Sequence, residues 1–145
     1  MANRTAIDHA PRIAALWAAW LIVMLFHVEL GLMPLFHGIP VAIESHVAAA
    51  RLPQLFLAML LYTLAPVAAM LLATYAATAG HHWSAAGRWR AGQCLLGGLY
   101  SVTNLGHLVA DIVIPDSRLD QVLLMAVLTL IGLLINRETW LWWRG

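Results

Sequence analysis

A chain of 145 residues that is 62% hydrophobic and only 10% charged carries more apolar surface than a soluble core of that size can hide; soluble domains usually hold about 25% charged residues. Its net charge of +1 has eight arginines and no lysine behind it, with no basic run, which argues against nucleic-acid binding. The single Cys94 excludes an internal disulfide, a CxxC redox pair and a thiolate-rich metal centre.

The composition predicts an all-α integral membrane protein. Residues 1–12 are polar and too few for a domain. Ile13 to Phe36 is the first expected span, longer than the ~7–15 residue core of a signal peptide and without a clear cleavage site, so it predicts a retained helix. Pro34 and Gly38–Pro40 close it. Residues 41–51 lie between Pro40 and Pro53, and this bracketing predicts a short helix on the outer surface, with Glu44 and His46 poised over the bundle. Leu55 to Thr78 is the second span. Pro66 interrupts its middle, and Thr63 is expected to help satisfy the carbonyl that the proline frees.

Gly80 to Arg90 is a polar connection containing His81 and His82, which read as solvated. Gly92 to Ile114 is the third span, and Gly97–Gly98 near its start permits close helix approach. Pro115 to Asp120 forms a turn before the fourth span, 119–138, and the chain continues through Trp140 to Trp143. No repeat, low-complexity tract or linker divides the sequence. The expectation is one domain over 1–145, a four-transmembrane-helix bundle with a short outer surface helix.

Two counts orient this bundle. Arg4, Arg12, Arg88, Arg90, Arg137 and Arg144 fall on one side, against Arg51 and Arg118 on the other. The positive-inside rule then places both termini in the cytoplasm and the protein in the inner membrane. All seven tryptophans, Trp17, Trp20, Trp83, Trp89, Trp140, Trp142 and Trp143, also fall at or near that side, which suggests a one-sided interfacial belt and a bare outer edge.

The chemistry points to one stretch. Read as a helix, Tyr100, Asn104, His107 and Asp111 stand at i, i+4, i+7 and i+11, a single polar stripe in an apolar segment. Such groups are costly in hydrocarbon and mark helix contacts or a working site. His27 lies roughly 21 Å into the first span and His107 roughly 23 Å into the third at 1.5 Å per residue, so both reach the outer half of the membrane at one level. Glu29 is near in depth, although two residues from His27 it points to another face. His37, Glu44 and His46 belong to the same outer end.

These residues predict a metal site built from His27, His107 and Asp111, joined by Glu29, Glu44 or His46, with Tyr100, Asn104 and His37 as outer hydrogen-bond partners. Mixed imidazole and carboxylate donors suit zinc, iron or manganese. Two level histidines on facing helices also allow a b-type haem as the alternative. The competing expectation is that the polar groups only join helices to one another. The methionines show no repeated spacing and read as packing, and no Ser/His/Asp, P-loop or dinucleotide pattern is present. The expected function is a small metalloprotein or redox-type subunit. The alternative is a non-catalytic accessory or assembly subunit, in which Asn136–Glu138 and the bare outer face meet other membrane subunits or a second copy.

Overall fold

The computed structural model describes residues 8–41, 47–78, 87–114 and 117–145. They form four long helices, α1 (His9–Phe36), α2 (Leu52–Thr78), α3 (Gly87–Val113) and α4 (Leu119–Arg144), with one 3₁₀ turn, Ala49–Arg51, leading into α2. No strand occurs among the described residues. Helix α1 begins earlier than its apolar run predicts because Asp8 caps it, accepting the Ala10 amide at 3.3 Å. Pro11 falls in the first turn, where a missing N–H leaves no bond unmade. Helix α4 runs past residue 138 to Arg144.

Of the surface helix expected over 41–51, the described residues show only that 3₁₀ turn. Val47 and Ala48 are not helical, and Pro53 sits in the first turn of α2 rather than ending a helix before it. Glu44 and His46 lie outside the described residues.

Helices α1, α2 and α4 are long and apolar enough to cross a membrane, and only 11% of the most apolar stretch of the second is buried within the protein. Helix α3 matches them in length at 27 residues, but its polar stripe lowers its apolar content. Its other face is apolar and exposed, with Leu99, Val102, Val109 and Ile112 pointing outward.

Packing runs α2 on α1, α1 on α4, and α4 on α3. The α3–α4 contact is tight because glycines remove side-chain bulk. A Cβ on Gly97 would stand 2.9 Å from Asn136 Oδ1 and 3.2 Å from Ile135 Cγ2, and one on Gly132 would stand 3.2 Å from Ser101 Oγ. Small residues at such crossings let backbones approach, and polar side chains then bond across the seam. Asn136 donates to Ser101 Oγ at 3.0 Å and Asn104 donates to the Leu128 carbonyl at 3.2 Å.

The backbones of α2 and α3 scarcely meet, and side chains close that side of the ring instead. Pro66, inside α2, has no N–H, so the Tyr62 carbonyl four residues earlier loses its helical partner. The Tyr100 hydroxyl of α3 donates to that carbonyl. Thr63, expected to help here, donates instead to Met59 O at 3.0 Å. Pro34 inside α1 frees the Leu30 carbonyl in the same way, and Arg118 donates to it at 3.1 Å. Two prolines within helices thus each draw a donor from another part of the chain.

Around the Tyr100 bond lies an aromatic cluster from three helices. Tyr100 meets Trp17 at 5.5 Å and Trp20 at 5.2 Å, both edge to face, and Tyr62 at 4.7 Å. Trp17 and Trp20 are 0% exposed. They belong to the core and not to an interfacial belt, because their rings are the bulk that fills the space between α1 and the α2–α3 gap. Trp142 is buried as well, whereas Trp140 and Trp143 are exposed, with Arg144 over the Trp140 ring at 4.3 Å.

At this same end Glu138 is buried. It accepts from His9 at 2.9 Å and Arg137 at 2.6 Å. Asn136 and Glu138 are thus both bonded within the bundle.

Tyr100→Phe is expected to lower stability in detergent by about 1–3 kcal/mol, the cost of stranding a buried carbonyl. In a Pro66→Ala background residue 66 regains its N–H, and the same Tyr100→Phe change should cost clearly less. Reversible unfolding of the four variants measures the difference.

Candidate metal centre

Helix α1 carries His27 inward at its buried face, and α3 carries His107 and Asp111 one turn apart. The two imidazoles meet edge to face, with ring centroids 5.2 Å apart and planes at 89°. His107 Nε2 stands 3.8 Å from Asp111 Oδ1. Taking one ligand atom from each of His27, His107 and Asp111, all three lie within 4.8 Å of one another. Ligand atoms around a tetrahedral ion at roughly 2.0–2.2 Å stand about 3.4 Å apart, so side-chain rotation is enough to close this set on one ion. Asp111 is 9% exposed and its Oδ2 is buried without a hydrogen-bond partner. A buried carboxylate oxygen left unpaired is costly unless a cation or a proton joins it.

Gln121, near the start of α4, completes the surroundings. With its amide nitrogen turned toward α1, it donates to His27 Nδ1 at 3.0 Å and to the His27 carbonyl at 3.1 Å, while its oxygen accepts from the Gly31 amide at 3.2 Å. In this orientation neutral His27 carries its proton on Nε2. Turned the other way, the amide oxygen faces the His27 carbonyl and the nitrogen faces the Gly31 amide, and only a bond accepted from an Nδ1–H tautomer, with Nε2 free as a ligand, offsets those two clashes. A metal-bound histidine normally donates its other N–H to such an oxygen. The orientation of Gln121 thus selects the tautomer, and with it whether His27 offers a donor or a lone pair.

A cavity of about 480 Å³ opens beside the cluster, lined by His27, His107 and Gln121 at its polar end and by Met24, Val28 and Met59 along its walls. The Tyr62 hydroxyl and Thr103 Oγ1, 3.0 Å apart, join α2 and α3 across it. His107 is half exposed in this opening.

The other predicted site residues lie elsewhere. Glu29 is exposed on the opposite face of α1, as its two-residue offset from His27 in a regular helix requires. His37 is exposed at the C-terminal cap of α1, about ten residues and roughly 15 Å along from His27. Tyr100 and Asn104 share the stripe with His107, but their hydrogen bonds go to the Tyr62 and Leu128 carbonyls, and they join helices rather than orient the ligands. Sequence reasoning missed Gln121, Tyr62 and Thr103. The one available signal for Gln121 was an amide in the first turn of an apolar helix, at the level of His27.

Fold and site together define a helical bundle with three membrane-capable helices, in which a buried imidazole, a half-exposed one and a buried carboxylate come together. No protein-family model, curated protein or solved structure matches the chain.

Gln121→Glu, whose carboxylate can only accept from His27 Nδ1–H and so leaves Nε2 free as a ligand, should tighten metal binding by about tenfold or more. Glu29→Gln and His37→Ala should leave it unchanged. Competition with a chromophoric chelator on protein in nanodiscs measures all three.

Proposed function

We propose that this chain is a four-span inner-membrane metalloprotein with both termini in the cytoplasm, holding one divalent ion through His27, His107 and Asp111 in the outer half of the bilayer. The observation that carries the reading is the unpartnered, buried Asp111 oxygen beside two imidazoles, all three groups offering ligand atoms within 4.8 Å. Two imidazoles and one carboxylate suit zinc, iron(II) or manganese and leave coordination positions open. Those positions would face the cavity, so the ion would act on a bound molecule as a Lewis acid or as a redox centre.

The lipid-facing apolar sides of α1, α2 and α4 support membrane residence, and the arginine asymmetry supports the orientation. With Trp17, Trp20 and Trp142 buried, the tryptophan argument for that orientation rests, among the described residues, on half-buried Trp89 and exposed Trp140 and Trp143, while Trp83 lies outside the described residues. Haem b is less well supported. Bis-imidazole ligation puts the rings on opposite faces of a flat macrocycle, whereas these rings touch edge to face at 5.2 Å.

A second reading, an accessory subunit, has one specific observation in its favour. Glu29 stands exposed among Phe26, Leu32 and Met33. A carboxylate on a lipid-facing surface is costly, and a neighbouring subunit would cover it.

Elemental analysis of protein purified in mild detergent tests the proposal. One bound zinc, iron or manganese per chain is expected, falling to none in His107→Ala while the helical signal and the monodisperse elution profile persist. Wild-type protein that takes up no metal on loading would overturn the metal reading and leave helix joining as the role of the cluster.

A further inference from the structure

We propose that the cavity beside His27 and His107 binds the ring of a membrane-dissolved quinone or quinol, which enters between α2 and α3. The inference rests on the site reading above, namely that this cavity is the working site at bilayer depth.

The first argument is access. Helices α2 and α3 are bridged by side chains rather than packed backbone to backbone, so their seam is the weak wall of the ring. Two cavities lie along it. One of about 480 Å³ adjoins the imidazoles. A smaller one of about 210 Å³, lined by Ala65, Ala69, Leu72 and Leu96 among others, lies further along the same seam. The Tyr62–Thr103 contact at 3.0 Å and the Tyr100 bond to the Tyr62 carbonyl stand between them. Val28, Met59, Thr103 and His107 at the edge of the larger cavity are all exposed. In a bundle of this kind that mouth faces lipid hydrocarbon, not water. What enters must be lipid-soluble, and the aromatic bridge stops its head at the level of the histidines.

The second argument is chemistry. No arginine lines the cavity, and Arg118 above it is committed to Asp120 at 2.6 Å and to the Leu30 carbonyl. In the metal-free protein a phospholipid phosphate therefore meets no cationic arginine or lysine among the lining residues. The polar side chains lining it are two imidazoles, one carboxamide and the Tyr62 and Thr103 hydroxyls, which suit a neutral carbonyl or hydroxyl. In the metal-free protein, with Gln121 donating to Nδ1, His27 retains Nε2–H as a donor to a carbonyl oxygen, and the Thr103 hydroxyl on the cavity wall can accept from a quinol hydroxyl. The apolar walls include two methionines and the Tyr62 ring. Thioether and aromatic surfaces favour a flat π-system over a saturated chain. The volume falls within the ~300–1,000 Å³ range of small-molecule sites.

The test measures binding of decyl-ubiquinone to protein in nanodiscs by equilibrium dialysis, on both metal-free and metal-loaded samples, with metal content determined in parallel. Saturable binding is expected. Met59→Trp and Val28→Trp, which fill the mouth from two different helices at exposed positions, should each weaken it by at least about tenfold while leaving metal uptake intact. Lack of saturable binding, or binding that neither variant weakens, would overturn the inference. Wild type that loads one ion yet binds no quinone would do so while leaving the metal reading standing. Quinone binding lost in both variants, from protein that never takes up metal, would support the inference and sink the metal reading. Release of a co-purified phospholipid from the same cavity, with quinone unable to displace it, would count against it.

Discussion

Pro66 withholds the amide hydrogen that would otherwise close onto the Tyr62 carbonyl, and the Tyr100 hydroxyl of α3 supplies a hydrogen in its place. In a hydrocarbon setting no water is at hand to take that role. The bond therefore decides where α3 must stand relative to α2. Trp17 and Trp20 pack against the two tyrosines from α1, filling the gap with rings rather than with helix-to-helix contact. The result is an asymmetric bundle, tight between α3 and α4 and spread between α2 and α3. Pro34 repeats the device near the C-terminal end of α1, where Arg118 takes the Leu30 carbonyl and draws the start of α4 toward α1. That brings Gln121 onto His27.

The site is a consequence of that spread. Two imidazoles can meet at 5.2 Å beside an open cavity only because no α2 side chain fills the space above the tyrosine bridge. Asp111 differs from the other members of its stripe. Tyr100 and Asn104 each donate to a neighbouring backbone carbonyl and have ordinary work as helix joiners. Asp111 keeps one oxygen buried and unpaired. One polar stripe thus divides into a structural half and a half with unmet valence, and the boundary falls between Asn104 and His107.

Much of this was legible in the residues. The apolar runs foretold the four helices, since helix length and hydrophobicity suffice for that. The i, i+4, i+7, i+11 spacing placed the stripe on one face, and counting 1.5 Å per residue put His27 and His107 at one level, as their ring contact bears out. What could not be read depends on contacts between helices. Trp17 and Trp20 look like interfacial anchors by position, yet the α2–α3 gap makes them core. Thr63 is the local candidate for the carbonyl freed by Pro66, but its hydroxyl turns to Met59 and a tyrosine 38 residues on takes the role. Gln121 has no periodic neighbour that marks it. The early start of α1 was missed because Asp8 acts as a cap, a signal that an apolar count passes over.

The central claim, that His27, His107 and Asp111 close on one ion, is tested most directly by X-ray absorption at the metal edge of purified protein in nanodiscs. The account predicts a first shell of nitrogen and oxygen donors at about 2.0–2.2 Å, with the outer-shell scattering of two imidazole rings, reduced to one ring in His27→Ala. A spectrum showing no histidine rings, or the same spectrum after His27 is replaced, would contradict it.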